Sequence, residues 1–265
     1  MSADIIDYKI IGDDLQAVII TLDPGEAVVG EAGAMMYMED SVQMGTQLSM
    51  KKNSSGIFGK LFEAGKRVVT GESFFITIFA NEGNQRRDCA FAAPYPGHVV
   101  PMELGDHGGE LLCQKDSFLC AAHGVEIGVA FTKRFGAGLF GGEGFILQRL
   151  HAPDGQGQVF CHAGGTTIRR ELGPGETLRV DTGCIVAFEK QVDYRIEMVK
   201  GIKNKLFGGE GFFFATLEGP GTVWLQTLPF SRLANRVIAA APSRGGKRVG
   251  EGSVLGGVFD MVDGR

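Results

Sequence analysis

Two residue types that bind zinc stand next to each other in this sequence. Cys161 is followed by His162, and His151 and Cys184 lie nearby. Zinc requires three or four donors that converge at roughly 2.0–2.3 Å. Adjacent side chains of a strand point to opposite faces, so Cys161 and His162 diverge if this segment is a strand. We therefore expect no metal and no cofactor, and keep the cysteine–histidine set as the basis of an alternative function.

Other catalytic patterns are weaker still. The segment 136–141 matches GxGxxG, but a dinucleotide site needs that turn to lead into a helix, and here a strand pattern follows. The sequence has no GxSxG elbow and no Walker lysine–serine pair. His98, His107 and His123 stand near turn glycines and are predicted to lie at the surface. The sequence therefore predicts a protein that is not an enzyme.

One glutamate recurs in a motif, Gly-Glu-x-Phe, that the chain carries three times. A ring of three carboxylates would follow if the copies met around an axis, but a glutamate in a glycine-rich turn more commonly accepts backbone N–H bonds. We favour that structural role. The motif residues are Gly71, Glu72, Phe74, Gly142, Glu143, Phe145, Gly209, Glu210 and Phe212.

Basic residues cluster just before each copy of the motif, beside apolar ones. This combination is typical of segments that contact an anionic membrane surface or an acidic partner. The alternative is a set of solvated loops whose charges keep the protein soluble. The residues concerned are Lys60, Lys66, Arg67, Lys133, Arg134, Lys203 and Lys205, with Lys200 beside the last two.

The elements that carry these residues are predicted to be strands. Apolar runs of five to eight residues end at turns rich in glycine, and glycine supplies 41 of the 265 residues, against roughly 7% in average proteins. Examples are the runs 74–79, 145–150 and 212–217, each of which opens on the motif phenylalanine. This pattern indicates short strands joined as hairpins, and so an all-β fold.

A second repeated element supports three related units. Leu22–Glu26 and Leu172–Glu176 both place proline and glycine at adjacent turn positions, and a degenerate third copy runs from Cys113 to Gly124. Stacked or packed like units are the usual basis of such repetition. We predict one domain of three internal repeats over residues 1–240, followed by a glycine-rich tail, 241–265.

Two segments have the apolar periodicity of helices. The segment 56–69 forms an amphipathic stripe that its glycines weaken, and Ser231–Ala240 follows a proline with a capping serine. The predicted fold is therefore all-β with one or two short helices.

Bulk properties exclude several classes of protein. The net charge of −5 gives no general attraction to nucleic acid. Five cysteines without CxxC spacing predict reduced, buried thiols rather than a disulfide framework. We find neither a signal-peptide pattern nor an apolar stretch of about 18 residues. We expect a cytoplasmic protein, peripheral to the inner membrane if the basic segments bind lipid.

The repeated Leu-Phe-Gly-Gly-Glu-Gly-Phe sequence, with the Leu-x-Pro-Gly-Glu turn, resembles the altered inheritance of mitochondria protein 24 family from about Tyr8 to Ala240. The resemblance implies the fold of the tryptophan RNA-binding attenuation protein, a short double-stranded β-helix or β-sandwich unit repeated within one chain. It also implies closed rings, with homotrimers favoured. Mitochondrial relatives are associated with the inner membrane. The resemblance supplies no catalytic residues.

Together these features predict a non-enzymatic scaffold or interaction protein, active at a membrane surface or on a membrane protein through its basic, apolar segments. We expect a homo-oligomer, because sheet edges are commonly covered by a neighbour. The alternative is a small-ligand module or enzyme with a barrel-like pocket.

Overall fold

The computed structural model of the chain describes residues 3–46, 76–133, 145–198 and 213–240. These ranges form an all-β structure, as the apolar runs predict, with one α-helix, Phe230–Ala240. The strands are β1 (Asp7–Ile11), β2 (Ala17–Leu22), β3 (Ala27–Glu31), β4 (Met35–Met38), β5 (Val42–Thr46), β6 (Ile76–Asn81), β7 (Arg87–Ala92), β8 (Gly97–Glu103), β9 (Glu110–Gln114), β10 (Phe118–Ala122), β11 (Glu126–Lys133), β12 (Phe145–His151), β13 (Gln158–Gly164), β14 (Thr167–Leu172), β15 (Thr177–Asp181), β16 (Ile185–Glu189), β17 (Asp193–Met198), β18 (Phe213–Glu218) and β19 (Gly221–Gln226).

The described strands form four sheets with antiparallel neighbours. Sheet A has the order β1-β2-β7-β4, sheet B β5-β6-β3-β10-β13-β8, sheet C β11-β12-β9-β16-β19-β14, and sheet D β15-β18-β17. Sheets B and C each combine strands from two parts of the chain: sheet B joins β3, β5 and β6 to β8, β10 and β13, and sheet C joins β9, β11 and β12 to β14, β16 and β19.

After β1 the chain traces the same path in three consecutive sets of six strands, β2–β7, β8–β13 and β14–β19. In every set the first and third strands pair with the sixth, and the second and fourth pair with the fifth. A 3-10 turn joins the second strand to the third each time. These turns are Ala32–Ala34, Lys115–Ser117 and Thr182–Cys184.

Three apolar clusters lie between the sheets. The central one includes Val29, Leu111 and Trp224, and so draws on all three sets of strands. Strands β6 and β10 of sheet B contribute residues to two of these clusters, one on each face, which explains why both are buried along their whole length rather than at alternate positions. The outer face of sheet D instead carries charged residues, among them Arg195 paired with Glu218.

The structure corrects the predicted third turn. The segment from Cys113 to Gly124 spans the end of β9, the 3-10 turn Lys115–Ser117 and β10. The position of the Pro-Gly-Glu turn is taken in the second set by the 3-10 helix Leu104–His107. A tight turn and a short helix can connect the same two strands, and a sequence motif does not reveal that exchange.

The helix predicted at Ser231–Ala240 is confirmed, beginning one residue earlier, whereas the segment 56–69 lies outside the described residues. Residues Met1–Phe230 form one compact unit and Ser231–Arg265 a second. Among the described residues, no helix combines the length and apolar character needed to cross a membrane.

Candidate functional site

The basic segments join equivalent strands of the three sets. Residues 47–75 connect β5 to β6, residues 134–144 connect β11 to β12, and residues 199–212 connect β17 to β18. Each connects the fourth strand of its set to the fifth, and these two strands pair as an antiparallel hairpin. We call the three segments the basic connections.

The strand ends that flank the basic connections lie at one end of the β body. In sheets B and C all neighbouring strands are antiparallel. In sheet B the beginning of β8 therefore lies at the same end as the last residues of β5 and the first of β6. In sheet C the beginning of β14 likewise lies at the same end as the last residues of β11 and the first of β12. The beginnings of β2, β8 and β14 are joined by parallel bridges, Leu15 to Gly97 and Gly97 to Gly165. Sheet D joins this end through the 3-10 turn Thr182–Cys184, which links the end of β15 to the beginning of β16. We call this side of the body the crossover end.

Backbone hydrogen bonds hold the crossover end together. Gly97 N donates to Asp14 O at 2.8 Å, Gly165 N to Pro96 O at 3.1 Å, and Leu228 N to Gly164 O at 3.0 Å. Four chain segments that are distant in sequence thus lie side by side. The arrangement fixes the three sets of strands relative to one another, and with them the strand ends that flank the basic connections.

Glycine is required where these segments touch. A Cβ atom at Gly164 would lie 2.0 Å from Leu228 O, and one at Gly97 would lie 2.2 Å from Ala163 O. Both obstacles are backbone atoms, which cannot rotate away. The close approach therefore depends on the absence of side chains at these two positions.

A buried aromatic pair lies beneath the crossover end. The rings of Tyr95 and His162 meet edge to face with centroids 4.5 Å apart, and His98 Nδ1 lies 2.6 Å from Gly165 O. Burial, and then the neighbouring His98, lower the pKa of His162 to about 4, so the imidazole is neutral near pH 7. Burial also raises the pKa of the Tyr95 hydroxyl. A neutral histidine and an un-ionised tyrosine are what packing in an apolar interior favours.

The predicted cysteine–histidine set is not brought together. Cys161 and His162 follow each other in β13, and Cys161 Sγ lies 3.6 Å from Cys113 Sγ in the core, away from the ring of Tyr95. His151 Nδ1 lies 3.5 Å from a carboxylate oxygen of Glu110. Within the described ranges no group of three or more histidine, cysteine, aspartate or glutamate residues has a metal-binding arrangement.

The thiols give a simple test of this packing. Cys89, Cys113, Cys120 and Cys161 are buried and Cys184 is partly exposed. Burial raises the pKa of Cys89 to about 12 and raises those of Cys113 and Cys120 as well. We expect a thiol reagent such as 5,5′-dithiobis(2-nitrobenzoate) to modify about one thiol in the folded protein and five after unfolding. Cys184→Ser should abolish the reaction of the folded protein; rapid modification of more than one thiol would contradict the buried assignment.

All three histidines predicted to lie at the surface are instead held in contacts, and His98 is half-buried in its contact with Gly165 O. His123 is buried, with Nδ1 3.9 Å from the Asp4 carboxylate, and burial lowers its pKa. His107 Nδ1 lies 2.7 Å from Glu189 Oε1, and its ring packs on Trp224. Glu189 also accepts a hydrogen bond from the backbone N–H of Thr222 at 2.9 Å. Through Glu189, the helix Leu104–His107 of the second set is thus bound to β16 and β19 of the third set. Sequence spacing carried no signal for these contacts, because the partners are far apart in the chain.

Most of the predicted site residues lie outside the described ranges. Phe145 is the exception among the motif residues; it begins β12 and is fully buried in the cluster between sheets C and D. Lys133 ends β11, with its backbone opposite Phe145. The others, which the structure does not describe, are Lys60, Lys66, Arg67, Arg134, Lys203, Lys205, Gly71, Glu72, Phe74, Gly142, Glu143, Gly209, Glu210 and Phe212.

Known proteins are similar to this chain in sequence or in fold. An uncharacterized protein of Streptococcus pyogenes serotype M6 is 30% identical over 225 residues, which cover 84% of this chain and 86% of that protein. The crystal structure of another Streptococcus pyogenes protein, solved by a structural genomics consortium, superposes with a TM-score of 0.67 at 24% identity. It covers 89% of this chain and all of the solved chain, a likeness of fold alone. Residues 8–228 match the model of the family described as Mitochondrial biogenesis AIM24, and this chain therefore belongs to the AIM24 family.

Proposed function

We propose that the protein is a non-enzymatic scaffold that binds an anionic membrane surface through its basic connections. One observation carries this proposal: the strand ends flanking all three connections lie at the crossover end. Cations carried by segments that are attached at one end of a rigid body can contact a flat anionic surface together, and each contributes about 1 kcal/mol there. We place the protein in the cytoplasm, peripheral to the inner membrane.

The C-terminal helix is a second element suited to a membrane surface. Phe230, Leu233, Val237 and Ile238 recur at helical spacing, and the last two are 62% and 70% exposed. Arginines 232 and 236 lie between them in sequence. A helix with exposed apolar residues and cations is typical of segments that lie in the headgroup region of a bilayer.

Self-association belongs to the same proposal. We propose a homo-oligomer, with a trimer favoured, that presents several sets of basic connections to one surface. Weak contacts made together raise the overall affinity well above that of one contact. A scaffold of this kind requires no catalytic residue.

Vesicle co-sedimentation tests the membrane proposal. We expect the protein to bind vesicles that contain phosphatidylglycerol, less as salt rises, and not to bind phosphatidylcholine vesicles. A variant with Lys60, Lys66, Lys133, Lys203 and Lys205 changed to glutamate should lose at least about a thousandfold in affinity, since the five lysines contribute about 1 kcal/mol each. Unchanged binding by this variant would reject the proposal.

A charge-matched pair separates a local effect from net charge. Lys203→Glu with Lys205→Glu removes cations from one basic connection. Lys9→Glu with Lys190→Glu makes the same change in net charge in the middle of β1 and in the turn after β16, outside the basic connections. Only the first pair should weaken binding to anionic vesicles; equal losses would mean that overall charge alone governs binding. If wild type binds no vesicles, the small-ligand alternative becomes the next to test.

A further inference from the structure

Strand β4 is an edge strand of an unusual kind. It pairs only with β7 among the described strands, and its sequence, Met35–Met38, contains no charge and no proline. Edge strands of soluble proteins are commonly protected by charged side chains, proline or a covering element, because an apolar edge recruits another strand. The composition of β4 is therefore that of a strand paired on both sides.

The equivalent strands of the other two sets are paired on both sides. In β4, Met36 is 57%, Tyr37 43% and Met38 38% exposed. The corresponding residues, aligned through the shared 3-10 turn and the register shift that follows it, are at most 2% exposed. They are Leu119, Cys120 and Ala121 of β10, and Val186, Ala187 and Phe188 of β16.

The strand that covers β10 or β16 comes from the preceding set. β10 pairs with β3, which places Cys120 opposite Gly30, and β16 pairs with β9, which places Ala187 opposite Cys113. We call these two pairings joints. Each joint pairs the second strand of one set with the third strand of the next set, and the register is the same in both. The remaining second strand is β15, at the edge of sheet D, where it pairs only with β18 among the described strands.

We propose that β15 of one copy of this chain pairs antiparallel with β4 of a second copy, forming a third joint of the same kind. The register of the two internal joints places Val180 opposite Tyr37 and Arg179 opposite Met38. Sheet D of one copy and sheet A of the next become one continuous sheet.

The side chains that meet in this register are compatible. Val180 faces Tyr37, an aromatic and β-branched pair of the kind that stabilises antiparallel strands. The stem of Arg179 lies along Met38, and its diagonal neighbour is acidic Asp40, which is exposed. The joint therefore covers the methionines of β4 and leaves the arginine charge opposite a carboxylate.

Such a contact is head-to-tail, because the two copies use different surfaces. Head-to-tail contacts form closed rings or open filaments rather than two-fold dimers. The inference deepens the proposed self-association and is independent of membrane binding. A closed ring of three copies would satisfy every β4 and β15 edge.

Disulfide trapping tests the register. Tyr37→Cys and Val180→Cys are placed in separate, differently tagged chains, co-expressed, and oxidised with copper phenanthroline. We expect a cross-linked species of two chains that contains both tags, and none when either variant or wild type is oxidised alone. In the control, Met38→Cys replaces Tyr37→Cys; its side chain points to the opposite face, so cross-linking to Val180→Cys should fall at least about tenfold.

Several outcomes would overturn the interface. Cross-linking of Tyr37→Cys to itself would show a two-fold contact of β4 with β4. Equal cross-linking of the Met38→Cys control would reject the register. An oligomer, or a monomer, that yields no cross-link between Tyr37→Cys and Val180→Cys would reject the pairing of β4 with β15.

Light scattering on Tyr37→Lys supplies an independent measurement. A lysine on β4 should shift the wild-type oligomer to the mass of one chain, because burying the charge in a joint is costly. The matched control is Ile168→Lys on β14, another edge strand, where the replaced side chain is equally exposed at 43%. The control should keep the wild-type mass, and an unchanged mass for Tyr37→Lys would contradict the proposal. Vesicle binding by wild type without the cross-link would reject this interface and leave the membrane proposal standing.

Discussion

Replacing Gly164 with alanine is expected to lower the free energy of unfolding by about 3 kcal/mol, the upper end of the range for overpacked sites. The new methyl group would lie 2.0 Å from Leu228 O and 2.8 Å from the Tyr95 ring. The carbonyl belongs to the segment that donates two backbone hydrogen bonds across the crossover end, from Thr227 N to Thr166 O and from Leu228 N to Gly164 O. Relief therefore requires backbone movement in more than one segment, which breaks those hydrogen bonds.

Urea unfolding followed by circular dichroism measures this effect. The matched control is Gly128→Ala in β11, because a Cβ atom there meets nothing within 4 Å. We expect the control to stay within about 0.5 kcal/mol of wild type. Gly97→Ala should resemble Gly164→Ala, since its Cβ would lie 2.2 Å from Ala163 O. Wild-type stability in Gly164→Ala would show that the crossover end is looser than the structure describes.

Acidification from pH 6.5 to pH 4 is expected to cost about 3 kcal/mol of stability through His162 alone. The pKa of His162 is lowered to about 4 in the folded protein, first by burial and then by His98, whereas an unfolded histidine titrates near 6.5. A lowered folded-state pKa means that the unfolded chain binds the proton first. The contribution is therefore complete above about pH 6.5 and is lost as the pH falls towards 4.

The histidine can be removed to identify the source of this slope. His162→Gln should flatten the dependence of the free energy of unfolding on pH between 6.5 and 4, whatever its effect at pH 7. Burial lowers the pKa of His123 too, so His123→Gln should remove a further part of the slope in the same direction. Equal wild-type stabilities at pH 6.5 and pH 4 would refute the buried, neutral state of His162.

The strands could be predicted because their signal is local. Apolar runs that stop at glycine-rich turns indicated β12 and β18 close to their observed bounds, and helical periodicity after a proline did the same for the C-terminal helix. The misplaced third turn shows the limit of this approach, since the helix Leu104–His107 shares no motif with Pro-Gly-Glu. The histidines show another limit: glycine neighbours suggested a surface, but burial is decided by what packs against a residue from elsewhere in the chain.

By itself, the sequence determined the class of the fold, the identity of the family, and the placement of basic residues before each motif copy, because each depends on residues close together in the chain. Only the tertiary structure decided that the strand ends flanking those segments lie together at the crossover end. It also decided that Gly97 and Gly164 must be glycine, and that β4 and β15 lie at sheet edges. These features arise from hydrogen bonds and contacts between segments far apart in the sequence, whose partners no local pattern specifies.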